Sequence, residues 1–183
     1  MSVAALSFGC ARSAPEWDAQ VNKRSASAGA DWFDEHNAPI AAMIRTHGVA
    51  IQQVSGEPSR SSTSFSYTIG LFDLGQPELL VLGLPPLPAY FLLNDLARRV
   101  RAGKRLAPGE VLTLGGWAQR FCPEVVPNPA RIVRCANAYY RRCGVHSVPV
   151  LQLTWDDEYG RFPWEEGYSI PTWIQPRPGE FRA

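Results

Sequence analysis

The residues best suited to recognition or chemistry lie near the end of the chain, between Trp155 and Trp164. This stretch places two tryptophans, Arg161 and the carboxylates at 156–158 within one predicted turn. Tryptophan and arginine are enriched at binding surfaces, because each combines a large contact area with a polar tip. The stretch is therefore either a lid or recognition surface, or a structural clamp in which the tryptophans cover the end of a sheet and Arg161 pairs with the turn acids.

A second group of polar side chains follows a predicted strand near the centre of the chain. Between 64 and 71, hydrophobic residues alternate with small or polar ones, Ser66 and Thr68 among them. This period of two predicts one face in the core and one small polar face suited to a ligand. The predicted ligand-binding residues are Ser66, Thr68, His47, Gln152, Trp155, Arg161 and Trp164.

A basic run offers a possible phosphate site. It consists of Arg98, Arg99, Arg101, Lys104 and Arg105. The run approaches the C-terminus of a predicted helix, where cations complement the helix dipole and the last carbonyl groups, so the structural interpretation is favoured. Aromatic residues do not alternate with these charges, which argues against a nucleic-acid site.

The cysteines and histidines predict neither a metal site nor a catalytic thiol. Cys143 and His146 are close in sequence, but no second pair with a matching spacing accompanies them. Cys143 lies on the predicted core face of a helix, where a thiol is not activated. No nucleophile elbow and no glycine-rich phosphate loop is present, so no catalytic residue is predicted.

The composition predicts one soluble domain. The chain has 183 residues, with 18 basic and 17 acidic side chains. This balance favours neither nucleic acid nor an acidic membrane surface as a partner. No hydrophobic run approaches the roughly 20 residues of a membrane span. We expect a flexible arm at 1–30, a single domain at 31–183, and reduced thiols in a cytoplasmic protein.

Periodicity predicts an α+β fold with a mostly antiparallel central sheet, two long helices packed on it and a Trp/Pro-rich C-terminal tail. A first helix begins at Asp31 or Asn37, presents Ile40, Met43 and Ile44 to the core and ends at Gly48. The other predicted elements are strands at Val49–Val54, Ser64–Leu71, Glu78–Leu84, Val111–Leu114, Trp117–Phe121 and Val148–Trp155, and helices at Ala89–Ala102 and Pro129–Cys143.

Five short blocks resemble those of a known bacterial family. They are THG at 46–48, FSYTIGL at 65–71, PEL at 77–79, VPVLQL at 148–153 and GRFPW at 160–164. The chain resembles, from about Ile40 to Trp164, the family designated domain of unknown function 4262. The resemblance implies a cytoplasmic bacterial protein and transfers no catalytic residues.

These observations lead to two functional hypotheses. The first is a recognition domain without an assigned reaction or cofactor, which binds a small molecule or a protein partner through the polar sheet face and the Trp-rich tail. The alternative is a flavin-binding oxidoreductase similar to split-barrel flavin reductases. In that case Ser66 and Thr68 would face the flavin phosphate, Arg98 or Arg101 would neutralise it, and Trp155 or Trp164 would stack on the ring.

Overall fold

The computed structural model describes residues 37–57 and 62–181, so the predicted N-terminal arm lies outside the described residues. The unit that begins at Asn37 contains a six-stranded sheet in the order β1-β2-β3-β6-β5-β4. Only the β3–β6 pair is parallel, which confirms an α+β fold with a mostly antiparallel sheet. The elements are α1 (37–47), β1 (Ala50–Val54), β2 (Phe65–Ile69), β3 (Glu78–Leu82), α2 (Pro86–Arg101), β4 (Leu112–Thr113), β5 (Arg120–Val125), α3 (Arg134–Tyr139) and β6 (Val150–Trp155).

The central strand pair forms as predicted. β2 and β3 are antiparallel, with Phe65 opposite Leu82. The unbroken hydrophobic run of β3 predicts a strand that is covered on both faces, and this is confirmed. Leu79 and Val81 belong to the hydrophobic cluster under α2, whereas Leu80 belongs to the cluster on the other face.

Helix α2 covers the sheet face that was expected to be available to a ligand. Ser66 and Thr68 are therefore buried, and Thr68 has no exposed surface. Leu71 was also expected on the same face as Tyr67, and this is wrong. Gly70 has a φ of +134°, which reverses the alternation and directs Leu71 into the cluster under α2.

The second predicted long helix is interrupted. The segment begins as a 3-10 helix at Pro129–Arg131, and α3 then extends only over Arg134–Tyr139. Val133 leaves the helical conformation, with φ of −94° and ψ of +55°, and this separates the 3-10 turn from α3. Ile132 and Val133 are nevertheless both buried in the core.

Smaller corrections concern single side chains and strand ends. Met43 is 41% exposed, because α1 turns Ile40 and Ile44 to the core and leaves Met43 beside them at the surface. Cys143 is exposed, because α3 ends before it. The hairpin around Gly115 forms, but β4 is shorter than predicted, and β5 begins and ends later.

The C-terminal segment is held to the sheet by hydrogen bonds. The amide of Gln175 pairs with the backbone N–H and C=O of Trp155 at 2.8 Å each, as a neighbouring strand would. Thr63 donates a hydrogen bond to the carbonyl of Ile174 at 2.9 Å. Among the described helices, none is long and hydrophobic enough to cross a membrane.

Candidate functional site

A groove of about 720 Å³ lies beside α2. It lies between the end of α1, the polar side of α2 and the turn that connects β4 to β5. We call it the arginine groove. It is lined by His47, Val49, Phe91, Asn94, Asp95, Arg98, Arg99, Arg101, Gly115 and Trp117.

Helix α2 builds one wall because its two sides differ in polarity. It begins with proline in its first turn, and its hydrophobic residues at 89, 92, 93, 96, 97 and 100 are all buried, as predicted. The opposite side carries Asn94, Asp95 and three arginines toward the groove. The same periodicity that fixes the helix on the sheet therefore directs its charged residues into the cleft.

Two of the arginines are paired with one carboxylate. Arg98 and Arg99 follow Asp95 by three and four residues, so all three meet on the helix surface. Arg98 contacts Asp95, and Arg99 donates to the other carboxylate oxygen at 2.9 Å. Burial alone would raise the pKa of Asp95, but the two arginine hydrogen bonds outweigh it and lower the pKa. The Asp95 carboxylate is therefore charged, and the two arginines hold it in place.

Arg101 joins α2 to α1. Its guanidinium donates a hydrogen bond to the carbonyl of His47 at 3.0 Å, where α1 ends. Gly48 makes this approach possible, because a Cβ at that position would lie 1.7 Å from the Arg101 guanidinium. Gly48 also has a φ of +82°, which glycine adopts without strain. Arg101 is therefore held at the edge of the groove.

Aromatic groups supply a nonpolar part of the groove. Trp117 is half-buried and packs edge-to-face on Phe121, with ring centroids 5.4 Å apart. Phe91, on the helix side, is 57% exposed. The groove therefore combines three guanidinium groups, one carboxylate and two aromatic surfaces.

Only one of the predicted ligand-binding residues, His47, lines this groove. Ser66 and Thr68 are buried under α2. Gln152 is also buried, and its amide donates to the carbonyl of Pro176 at 2.8 Å. Trp155 is buried, and its indole N–H donates to the carbonyl of Leu82 at 2.9 Å. These four residues have structural contacts, and their ligand-binding role stays a prediction.

The Arg161 side chain does not pair with the turn acids, so that part of the clamp interpretation is wrong, whereas the recognition-surface interpretation stays a prediction. Arg161 donates to the carbonyl of Gly167 at 2.9 Å and lies over the Tyr159 ring. Asp156 pairs instead with Arg120, at 2.6 Å. Asp157 accepts backbone hydrogen bonds that close the turn, and these lower its pKa although burial acts in the opposite direction.

Trp164 lies at a separate cleft of about 520 Å³, away from the arginine groove. It is 45% exposed, and it stacks on Phe162 with ring centroids 4.7 Å apart. Arg177 lies over its ring and pairs with Glu124 at 2.6 Å. The predicted surface is thus divided, since His47 and Trp164 line different clefts.

Sequence reasoning identified the basic run but not its surroundings. Asn94 and Asp95 could have been found as the polar side of the predicted helix, facing away from its hydrophobic residues. Trp117 follows the two glycines of the predicted hairpin turn, which was a signal for an exposed aromatic tip. No sequence pattern predicts that Trp117 and His47 both lie beside α2, because their proximity depends on the order of the strands in the sheet.

Comparison with known proteins supplies a family and no further relative. No curated protein and no solved structure matches the chain. The family model described as Domain of unknown function (DUF4262) matches residues 43–169, a range that includes every residue of the arginine groove. Because this match covers more than half of the chain, the protein belongs to the DUF4262 family.

Proposed function

We propose that the protein is a recognition domain whose arginine groove binds a small anionic ligand, one that carries a phosphate or carboxylate group next to a flat nonpolar part. The observation that supports this most directly is the grouping of three arginines against one carboxylate around an open space of about 720 Å³. That volume is within the usual range for small-molecule sites, roughly 300–1,000 Å³. The proposal concerns binding and assigns no reaction.

The arginines have donors to spare for an anion. Each guanidinium carries five N–H donors in a planar fork that matches a phosphate or carboxylate. Arg98 uses part of its fork on Asp95, yet its side chain is 78% exposed. An anion that entered the groove would therefore meet N–H groups that now face water.

The nonpolar part of the ligand would lie against Trp117. The indole ring is fixed by its contact with Phe121, so little side-chain entropy is lost when a flat group stacks on it. Asn94 lines the same groove and adds an amide that can donate and accept hydrogen bonds. The proposal includes the cytoplasmic location that the sequence predicts. Small phosphorylated and carboxylated molecules occur in that compartment.

The flavin hypothesis stays a prediction, and the same groove is the place to test it. Arg98 and Arg101 line the groove together with Trp117, which offers a phosphate contact and a stacking surface. Ser66 and Thr68, which the hypothesis assigned to the phosphate, are buried elsewhere. A flavin would therefore have to bind without these hydroxyl groups.

The test is a titration of the purified protein with inorganic phosphate, pyrophosphate, AMP and FMN. Binding is measured by calorimetry and by the shift in thermal unfolding. A ligand present at 100 times its Kd stabilises the folded state by about 2.7 kcal/mol, which the midpoint of unfolding reports. Arg98→Ala should weaken binding by about tenfold, as expected for a lost hydrogen bond to a charged group. Binding should also weaken as salt increases.

Arg105→Ala is the matched control, because Arg105 belongs to the same basic run but does not line the groove. Its affinity for the anion should equal that of the wild type. Equal losses in Arg98→Ala and Arg105→Ala would show that only net charge matters. The proposal would be wrong in that case, and also if none of the four anions bound.

A further inference from the structure

A smaller cavity of about 250 Å³ opens on the sheet face opposite α2, among residues of the second hydrophobic cluster. We call it the Tyr67 cavity. Among the described residues that line it there are two arginines and no acidic side chain. The lining residues are Val54, Ser55, Ser62, Thr63, Phe65, Tyr67, Arg131, Ile132, Arg134, Cys135 and Phe181.

The polar end of the cavity is formed by Tyr67, Arg134 and Cys135. The backbone N–H of Cys135 donates to the Tyr67 hydroxyl oxygen at 3.1 Å, although the tyrosine is almost fully buried. The Cys135 side chain also interacts with this hydroxyl, and a thiol is a weak acceptor for the hydroxyl proton. A ligand oxygen would accept this proton better than sulfur does.

The electrostatics at this end favour a neutral phenol beside a cation. Burial raises the pKa of Tyr67, so the hydroxyl keeps its proton at physiological pH. The positive charge of Arg134 is close enough to act on the same hydroxyl in the opposite direction. The Nε of Arg134 donates to the carbonyl of Arg131 at 3.2 Å, and its terminal nitrogens have no hydrogen-bond partner among the described residues.

The other end of the cavity is hydrophobic. Phe65 and Phe181 pack edge-to-face, with ring centroids 5.2 Å apart. Val54 and Ile132 complete this part of the lining. The cavity thus has a phenol donor and a guanidinium at one end and aromatic and aliphatic side chains at the other.

We propose that the Tyr67 cavity binds a small monocarboxylate with a nonpolar body, whose carboxylate accepts a hydrogen bond from the Tyr67 hydroxyl beside Arg134 and whose body packs against Phe65 and Phe181. The cavity of about 250 Å³ has the volume of about eight water molecules at ~30 Å³ each, which suits a small ligand. A paired guanidinium offsets the desolvation of the carboxylate. The site is independent of the arginine groove, because the two lie on opposite faces of the sheet.

The test uses phenylacetate and hexanoate as probes, with neutral phenylacetamide as the matched control ligand. Saturation-transfer NMR and calorimetry should detect both acids, and the amide should bind at least about tenfold more weakly. Arg134→Gln, an exposed position, should weaken phenylacetate binding by about tenfold. Arg142→Ala is the control variant, because Arg142 lies over the Phe72 ring and does not line the cavity.

A second readout does not depend on the stability of a core variant. Cys135 lines the cavity, whereas Cys122 is buried and Cys143 is exposed elsewhere. In a protein with Cys10→Ser and Cys143→Ser, bound phenylacetate should slow alkylation of Cys135 in proportion to the occupied fraction. The proposal is overturned if neither acid binds at millimolar concentration, if Arg134→Gln and Arg142→Ala bind alike, or if saturating phenylacetate leaves the alkylation rate unchanged.

Discussion

Replacing Thr68 by valine tests whether this side chain holds the central hairpin together or faces a ligand. The hydroxyl donates to Glu78 at 2.6 Å and accepts the backbone N–H of Leu79 at 2.8 Å. Glu78 also accepts the backbone N–H groups of Gly70 and Phe72, at 2.9 and 3.0 Å. Thr68 therefore connects β2 to the start of β3 through a carboxylate that is itself fully buried.

Valine keeps the shape of threonine and removes both hydrogen bonds. The buried N–H of Leu79 would lose its acceptor, at a cost of about 1–3 kcal/mol, and the bond to Glu78 contributes about 0.5–1.5 kcal/mol more. Burial of the added methyl group offsets about 0.8 kcal/mol of this loss. We expect the free energy of unfolding to fall by about 2 kcal/mol, which lowers Tm by about 4–8 °C in a protein of this size.

Urea unfolding at pH 7, followed by tryptophan fluorescence, measures this change, and the slope m should stay constant. Thr113→Val is the control, because Thr113 is on an edge strand and exposed; its effect should stay within about 0.5 kcal/mol. If Thr68→Val changed stability no more than the control does, the two hydrogen bonds of Thr68 would not stabilise the hairpin. A ligand role for Thr68 would then regain support.

Three further perturbations test other parts of the structure. Gln175→Leu should lower the unfolding free energy by about 2 kcal/mol in urea, because the buried N–H of Trp155 loses its acceptor and its carbonyl keeps only the longer bond from Tyr168, at 3.5 Å. The pKa of Asp157 is lowered in the folded state, so its stabilising contribution is full above its ordinary value of 3.8 and is lost as pH falls. Asp157→Asn should therefore be less stable than the wild type at pH 7 and approach it in acid, as thermal unfolding across pH would show; parallel curves would contradict this. Gly48→Ala should displace the Arg101 guanidinium and weaken anion binding in calorimetry by about tenfold, and unchanged affinity would remove Arg101 from the site.

The parts of the fold that the sequence predicts are those set by local periodicity. Helix α2 buries each of its predicted hydrophobic residues, because one face of a helix repeats every three or four positions. β2 and β3 pair as the alternating and continuous hydrophobic patterns require. Periodicity does not show what covers a polar face, however. Ser66 and Thr68 are small enough to be buried, and the hydroxyl of Thr68 finds its acceptor in Glu78, ten residues further along the chain.

The candidate sites were harder to predict because they depend on contacts between distant segments. His47 and Trp117 are far apart in the chain, yet both line the arginine groove. Trp155 and Trp164 are close in the chain, yet Trp155 is buried in the core and Trp164 lies at a surface cleft. Sequence proximity therefore grouped two tryptophans that lie apart in the fold, and distance along the chain concealed two residues that line the same groove.

The arginines at the end of α2 show why a structural and a ligand-binding interpretation of the same residues are compatible. The sequence favours a role at the helix end, where cations can satisfy the last carbonyl groups. In the structure the carbonyls of Arg98, Arg99 and Val100 already accept backbone N–H groups from residues 102–104. Side chains are not needed there.

The guanidinium groups of Arg98 and Arg101 instead contact Asp95 and the carbonyl of His47. Arg101 satisfies a carbonyl of α1, so its role is structural, but at a different helix end from the one expected. Arg98 has only an exposed ion pair with Asp95, and such pairs contribute about 0–1 kcal/mol. Arg98→Ala should therefore leave the stability of the fold almost unchanged while it weakens anion binding by about tenfold. This separation of stability from affinity makes Arg98 the most informative position at which to test the groove.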